Sequence, residues 1–287
     1  MKNLKVIVIS FGLISAITLM SFNMRKDSKS KTINIKEIDK SLVKIKDKLY
    51  AGKFEVSNKL YREFLHDLMI KNKKELYLQV LVDSLNWRDK TAYNEPFVEL
   101  YFRHPAYSNY PLVNVSYESA IKYCDWLTDT YNSSPNKKFK KVKFRLPTEP
   151  EWEFAAKGGL ENCEYAWGNR LLLDNKINCN FRYVGDENLE IDTITNKIVV
   201  DYTNNTGIAG TLNDNADITA PVDSYKPNKY GLYNMCGNIS EMIQVKGISK
   251  GGGWKSPGGD VKIKSKAKYN KSAVDVGFRY FMEIIEE

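Results

Sequence analysis

Phe144-Arg-Leu-Pro-Thr-Glu-Pro-Glu-Trp-Glu-Phe-Ala-Ala-Lys-Gly-Gly159 reads as a strand end, a turn and a capped helix in one run. Thr148 suits the N-cap, and Glu151 stands three residues on, the spacing at which each side chain reaches the other's backbone N–H. Pro150 falls in the first turn, where its missing N–H costs little. Trp152, Ala155 and Ala156 then share one face, and Gly158-Gly159 ends the helix.

Outward from that helix, the 287 residues are 43% hydrophobic and 27% charged, enough apolar material for one large domain or two small ones. Eighteen Tyr, 12 Phe and 5 Trp favour a packed, loop-rich globule over disorder. The net charge of +8 comes from scattered Lys, with no arginine-rich cluster and no single basic helix, so the reading is a solvated basic surface and no nucleic-acid partner. Residues 1–22 read as an export signal: Lys2 and Lys5 precede an apolar run from Val6 to Phe22, short for a spanning helix. Cleavage after Ser21 or retention as an anchor are both open. Membrane contact is expected only through that segment, and the protein is expected in the periplasm or otherwise exported. Residues 23–45 are polar and Lys-rich, a linker, and the domain is expected over 46–287.

Four cysteines, Cys124, Cys163, Cys179 and Cys236, form no C-x-x-C pair, and His66 and His104 are the only imidazoles, which argues against a zinc or iron centre. Cys124 shares a helix face with Ala120, Leu127 and Tyr131 and reads as a buried thiol; Cys163 and Cys179 are the candidate bridge. Residues Tyr50 to Val56 alternate as a strand, and Ser57 caps a helix carrying Leu60, Phe64 and Leu68. A further helix is expected over Lys73 to Val82, an irregular aromatic segment over Asp83 to Pro111, a short strand at Leu112 to Val115, and a helix from Ser116 to about Tyr131. Val184 to Asp217 reads as an inserted loop or hairpin.

The opening run resembles the R-L-P-T-E-x-E-W-E-x-A-A signature of the formylglycine-generating-enzyme (sulfatase-modifying factor) family. Other family strings follow in order: Glu55-Val-Ser-Asn58 with Tyr61 and Phe64, Pro111 to Leu127, Trp167-Gly168, Asn180-Phe181, Ala220-Pro-Val222, Asn228 to Met235, Gly237-Asn-Ile-Ser-Glu241, Lys250-Gly-Gly-Gly-Trp254 and Gly277-Phe-Arg279. The resemblance implies an α+β, C-type-lectin-like fold rich in irregular structure. Residues 83–111 are similar to a narrower branch, the lipoproteins of the gliding-motility and type IX secretion ring, although no cysteine precedes Cys124 to carry a lipid.

In the family's enzymes two cysteines five positions apart, just after G-G-S-W, bind copper(I) and oxidise a substrate cysteine to formylglycine. Here Lys255 and Asp260 take those places and Gly253 replaces the serine, so no copper is expected. The family's iron enzymes carry an extra helical domain with a histidine motif, which has no counterpart in this sequence. The resemblance also implies calcium, held by Asn238 and Glu241 in the G-N-x-x-E string. A second site would use Asn180 with Asp214 or Asp217. The expectation is therefore an exported, non-catalytic structural or protein-binding component of the cell envelope, with an envelope protein as partner. The alternative is an enzyme of altered chemistry in the same groove.

Overall fold

The computed structural model describes residues 33–89, 93–174, 176–182 and 216–287, with the backbone of 189–192 and 197–200. The expected signal at 1–22 lies outside the described residues. Within those described, no helix is long and apolar enough to cross a membrane.

The described body starts earlier than the sequence reading placed it. Helix α1 (Ile35–Lys40) and strand β1 (Leu42–Lys46) precede the expected boundary at 46. Ile33, Ile35 and Ile38 are buried among the side chains of the main core. Asn34, Lys36 and Glu37 sit between those isoleucines and are exposed, a half-buried pattern that average polarity hides. Asn34 caps α1 by accepting the Lys36 N–H.

Next in the chain come β2 (Leu49–Gly52), α2 (Asn58–Ile70), α3 (Lys74–Gln79), α4 (Glu95–Leu100) and α5 (Tyr117–Ser133). Strand β3 (Lys141–Arg145) leads into α6 (Glu149–Lys157), followed by the short hairpin β4 (Leu172–Leu173) and β5 (Lys176–Ile177). Part of the expected insertion is a hairpin, with β6 (Leu189–Asp192) antiparallel to β7 (Lys197–Val200). The chain ends with β8 (Ser240–Met242), β9 (Ile248–Lys250), β10 (Lys266–Lys268), β11 (Val276–Gly277) and β12 (Phe281–Glu286).

One sheet runs β1-β2-β12-β3, antiparallel throughout, and joins the start of the body to its end. Its pleat divides two cores. Met282 aligns with Tyr50 and Phe144, and Ile284 with Val142, all facing the core under α2 and α5. Phe281, aligned with Ala51, faces the opposite core with Trp152, Ala155 and Ala156 of α6. Successive residues point to opposite faces, so a one-residue slip would exchange both cores at once. The second sheet, β10-β9-β8-β11, pairs β8 and β11 in parallel and the rest antiparallel.

Three local expectations shift. The strand from Tyr50 ends at Gly52, where the Tyr280 ring lies so close that a Cβ would meet it at 3.2 Å. Leu112 to Val115 is buried and tied by single backbone bonds to Val56 and Ala273, without forming a strand. The irregular segment does wrap on the core as expected, but contains α4.

Candidate functional site

The motif of residues 144–159 is a structural hub, with Arg145, Glu149, Trp152 and Glu153 tied to distant strings. Thr148 and Glu151 form the complete capping box. Arg145 holds Glu151 through two bonds of 2.7 Å and reaches Glu283 of β12 at 3.2 Å. Burial raises the Glu151 carboxyl, but Arg145 and the Thr148 N–H outweigh it and hold the group at about 2. Gly158 caps α6 at φ 58, and the Asn228 amide donates to the Ala155 and Ala156 carbonyls at 2.8 and 3.1 Å. A Cβ on Gly158 would meet that amide at 2.9 Å, so the left-handed turn and the close approach both require glycine.

The Trp152 indole donates to Glu241 at 2.7 Å, which opens a buried charge network. Arg279 grips Glu241 through bonds of 2.7, 3.1 and 3.2 Å, and both side chains are essentially unexposed. The rest of that guanidinium donates to the carbonyls of Gly52 and Tyr233. Beside the pair, Glu55 accepts from the Asn234 and Asn238 amides at 2.9 and 3.0 Å. Burial pushes Glu55 up to about 8, against the attraction of Arg279 and with the neighbouring Glu241 adding to the rise. One guanidinium faces two carboxyls here, and the direct bonds go to Glu241.

The loop that carries the cysteine pair in the resembled enzymes lies directly over this network. Gly237 donates to the Gly251 carbonyl, and Trp254 donates its backbone N–H to the Asn238 carbonyl at 2.9 Å. Gly253, which replaces the serine of the resembled string, is closely packed: a Cβ would meet the Asp275 carbonyl at 2.9 Å. The Trp254 ring stacks on Trp87 at 6.3 Å and donates to Val274, with the Lys255 ammonium 5.1 Å from its centroid. Lys255 and Asp260 are both exposed. The electrostatic partner of Lys255 is Asp275, whose carboxyl is raised by burial and lowered by that ammonium. Sequence reasoning passed over Asp275; its position just before the Gly277-Phe-Arg279 string was the available signal.

These residues do not suit copper(I), which takes soft thiolates. All four cysteines are buried and none is in a disulfide, including the Cys163 and Cys179 expected as a bridge. Cys163, Cys179 and Cys236 are core side chains beneath α6, and burial pushes Cys236 up to about 12, so it stays a thiol and accepts the Ala166 N–H.

Calcium does not suit Asn238 and Glu241 either. The structure brings them into one network, but Glu241 spends its oxygens on Arg279 and Trp152, and the Asn238 side-chain oxygen accepts from Ala220 at 2.7 Å. A dication would displace a buried guanidinium from its carboxylate, at the cost of an unpaired charge. Asn180 donates to the Ile218 carbonyl at 2.6 Å and lies 3.4 Å from the Asn238 oxygen. Asp214 lies outside the described residues, and Asp217 is exposed. Among the described residues no group of three or more His, Cys, Asp or Glu gathers to hold a metal. The His104 ring accepts the Ala106 N–H at 3.2 Å, a capping role.

The family model of the sulfatase-modifying factor enzyme 1-like domain matches residues 19–284. The chain belongs to that family. Formylglycine-generating enzyme of Mus musculus is 29% identical over 214 residues, 68% of this chain and 48% of that protein. Inactive C-alpha-formylglycine-generating enzyme 2 of Bos taurus is 26% identical over 210 residues, 66% of this chain and 56% of that protein. The chain thus spans about half the length of the curated relatives it matches. Among solved structures, Treponema denticola variable protein 1 superposes with a TM-score of 0.50 at 18% identity, covering 82% of this chain and 84% of that one, a likeness of fold. The relatives it matches thus include proteins named as the enzyme and proteins named as inactive.

Proposed function

We propose that this family member is non-catalytic and serves as a structural or protein-binding component of the cell envelope. The observation that carries the reading is the pair of exposed hard side chains, Lys255 and Asp260, at the places where the oxidases carry sulfur, with every thiol of the chain buried elsewhere. The similarity to relatives described as inactive supports it. Export rests on residues 1–22, and the association with gliding motility or type IX secretion on the wording of residues 83–111. The aromatic rings of that segment, Trp87, Phe97 and Tyr101, form a separate core layer beneath which the Trp254 ring packs.

Purified full-length protein incubated with copper, oxygen and a cysteine-containing sulfatase peptide is expected to leave the peptide unchanged by mass spectrometry. Conversion of cysteine to formylglycine would overturn the reading. Affinity purification from native envelopes is expected to bring down a stable protein partner, and recovery from the cytosolic fraction alone would remove the envelope assignment.

A further inference from the structure

On the outer side of the aromatic segment lies a cavity of about 400 Å3, within the range of roughly 300–1,000 Å3 that small-ligand sites occupy. Phe97, Tyr107, Tyr110 and Tyr225 line it, and among the described residues Asp217 is its one charged lining residue. Phe97 and Tyr107 meet at 86° and Tyr107 and Tyr110 at 65°, so the rings make a corner and not a flat platform. Tyr225 stands at φ 65, in the left-handed region. For a bulky aromatic residue that conformation is strained, and such strain clusters at ligand clamps.

The floor is rigid. Thr219 is buried and bonded to the Tyr101 hydroxyl at 2.7 Å, and the Ala220 N–H is held by Asn238 at 2.7 Å. The cavity is thereby built on the polar network described above. Its charge is opposite to that of the chain as a whole: the net charge is +8, yet among the described residues no Lys or Arg lines the cavity. Asp217 is exposed and has no ion-pair partner among the described residues. A corner of electron-rich rings with one free carboxylate attracts a cation and repels an anion. The tyrosine hydroxyls supply further acceptors, which a primary ammonium with three N–H donors can use. Burial and the neighbouring Tyr110 raise the Tyr107 phenol, so it stays neutral.

We propose that this cavity binds a primary alkylammonium group, the side chain of a lysine presented by a partner peptide. The site deepens the protein-binding reading by naming the group the partner offers, and neither Lys255 nor Asp260 is among its lining residues.

The test is an NMR titration of the full-length protein, in buffer containing EDTA, with Nα-acetyl-lysine amide and with its uncharged counterpart Nα-acetyl-norleucine amide. The lysine derivative is expected to bind roughly tenfold tighter or better. Asp217→Asn and Tyr110→Leu are each expected to erase most of that preference, and Asp217→Asn, at an exposed position, leaves the melting temperature unchanged. Equal binding of the two amides, no binding of the lysine derivative, or an undiminished preference in Asp217→Asn overturns the site. Binding of a neutral disaccharide such as maltose in place of the lysine derivative overturns it as well. Loss of the lysine preference leaves the non-catalytic reading standing, and turnover of a cysteine peptide would remove that reading without touching this site.

Discussion

Two regions in direct contact differ in kind. Below, Glu55, Trp152, Asn238, Glu241 and Arg279 come from strings scattered from one end of the body to the other and close a buried network. Above, residues 251–260 keep the glycines that let the chain turn tightly, while Lys255 and Asp260 face solvent. The lower region acts through geometry: replace one member and the others lose their partners. The upper region is a loop whose shape comes from backbone bonds and glycines, so its outward side chains are free to change. A fold can therefore persist while the chemistry at its surface is exchanged.

The sharpest way to break the contrast is Arg279→Met. It leaves Glu241 as an unpaired buried charge and is expected to cost about 3–5 kcal/mol in urea unfolding, or to prevent folding. A loss under 1 kcal/mol would mean the network is not what fixes the two halves together. Trp152→Phe removes one hydrogen bond to a charged acceptor and some ring volume, for an expected loss of about 2–3 kcal/mol.

Next comes Glu55. Its folded-state value of about 8 lies above the ordinary 4.5, so the unfolded chain gives up that proton first as pH rises. The contribution is fully present below about pH 4.5, shrinks with rising pH and is gone above about 8, a change on the order of a few kcal/mol. Glu151, held at about 2, acts oppositely: its contribution is present above about 4.5 and is lost as pH falls toward 2. Glu55→Gln should flatten the alkaline slope in denaturant titrations between pH 5 and 8 and leave the acid limb alone. At the small end, Lys255→Ala and Asp260→Ala are each expected to change stability by less than about 0.5 kcal/mol, since both side chains are exposed. A larger effect would give the upper region a structural role that the comparison denies it.

Much of this was legible beforehand. The capping box of Thr148 and Glu151, the Ser57 and Ser116 caps and the glycine stop at Gly158 all depend on side chains three or four residues apart, and they form where the spacing put them. What escaped was long-range. Asn238 and Glu241 looked like cation ligands because oxygen donors on a turn look the same with or without a metal. Only Arg279, 38 residues on from Glu241, shows that the charge is already neutralised. The α1–β1 segment escaped because Ile33, Ile35 and Ile38 alternate with polar residues and carry little average hydropathy, yet each finds the core. Cys124 is buried as its helix face implied, whereas the expected bridge fails because Cys163 and Cys179, near in sequence, enter the core beneath α6 as separate thiols.

The most direct measurement of the central claim is copper(I) binding by the reduced full-length protein in competition with bathocuproine disulfonate. With hard, exposed side chains at 255 and 260 and every thiol buried, the protein is expected to withdraw no copper from the chelator. Retention of one equivalent of copper(I) would contradict the account.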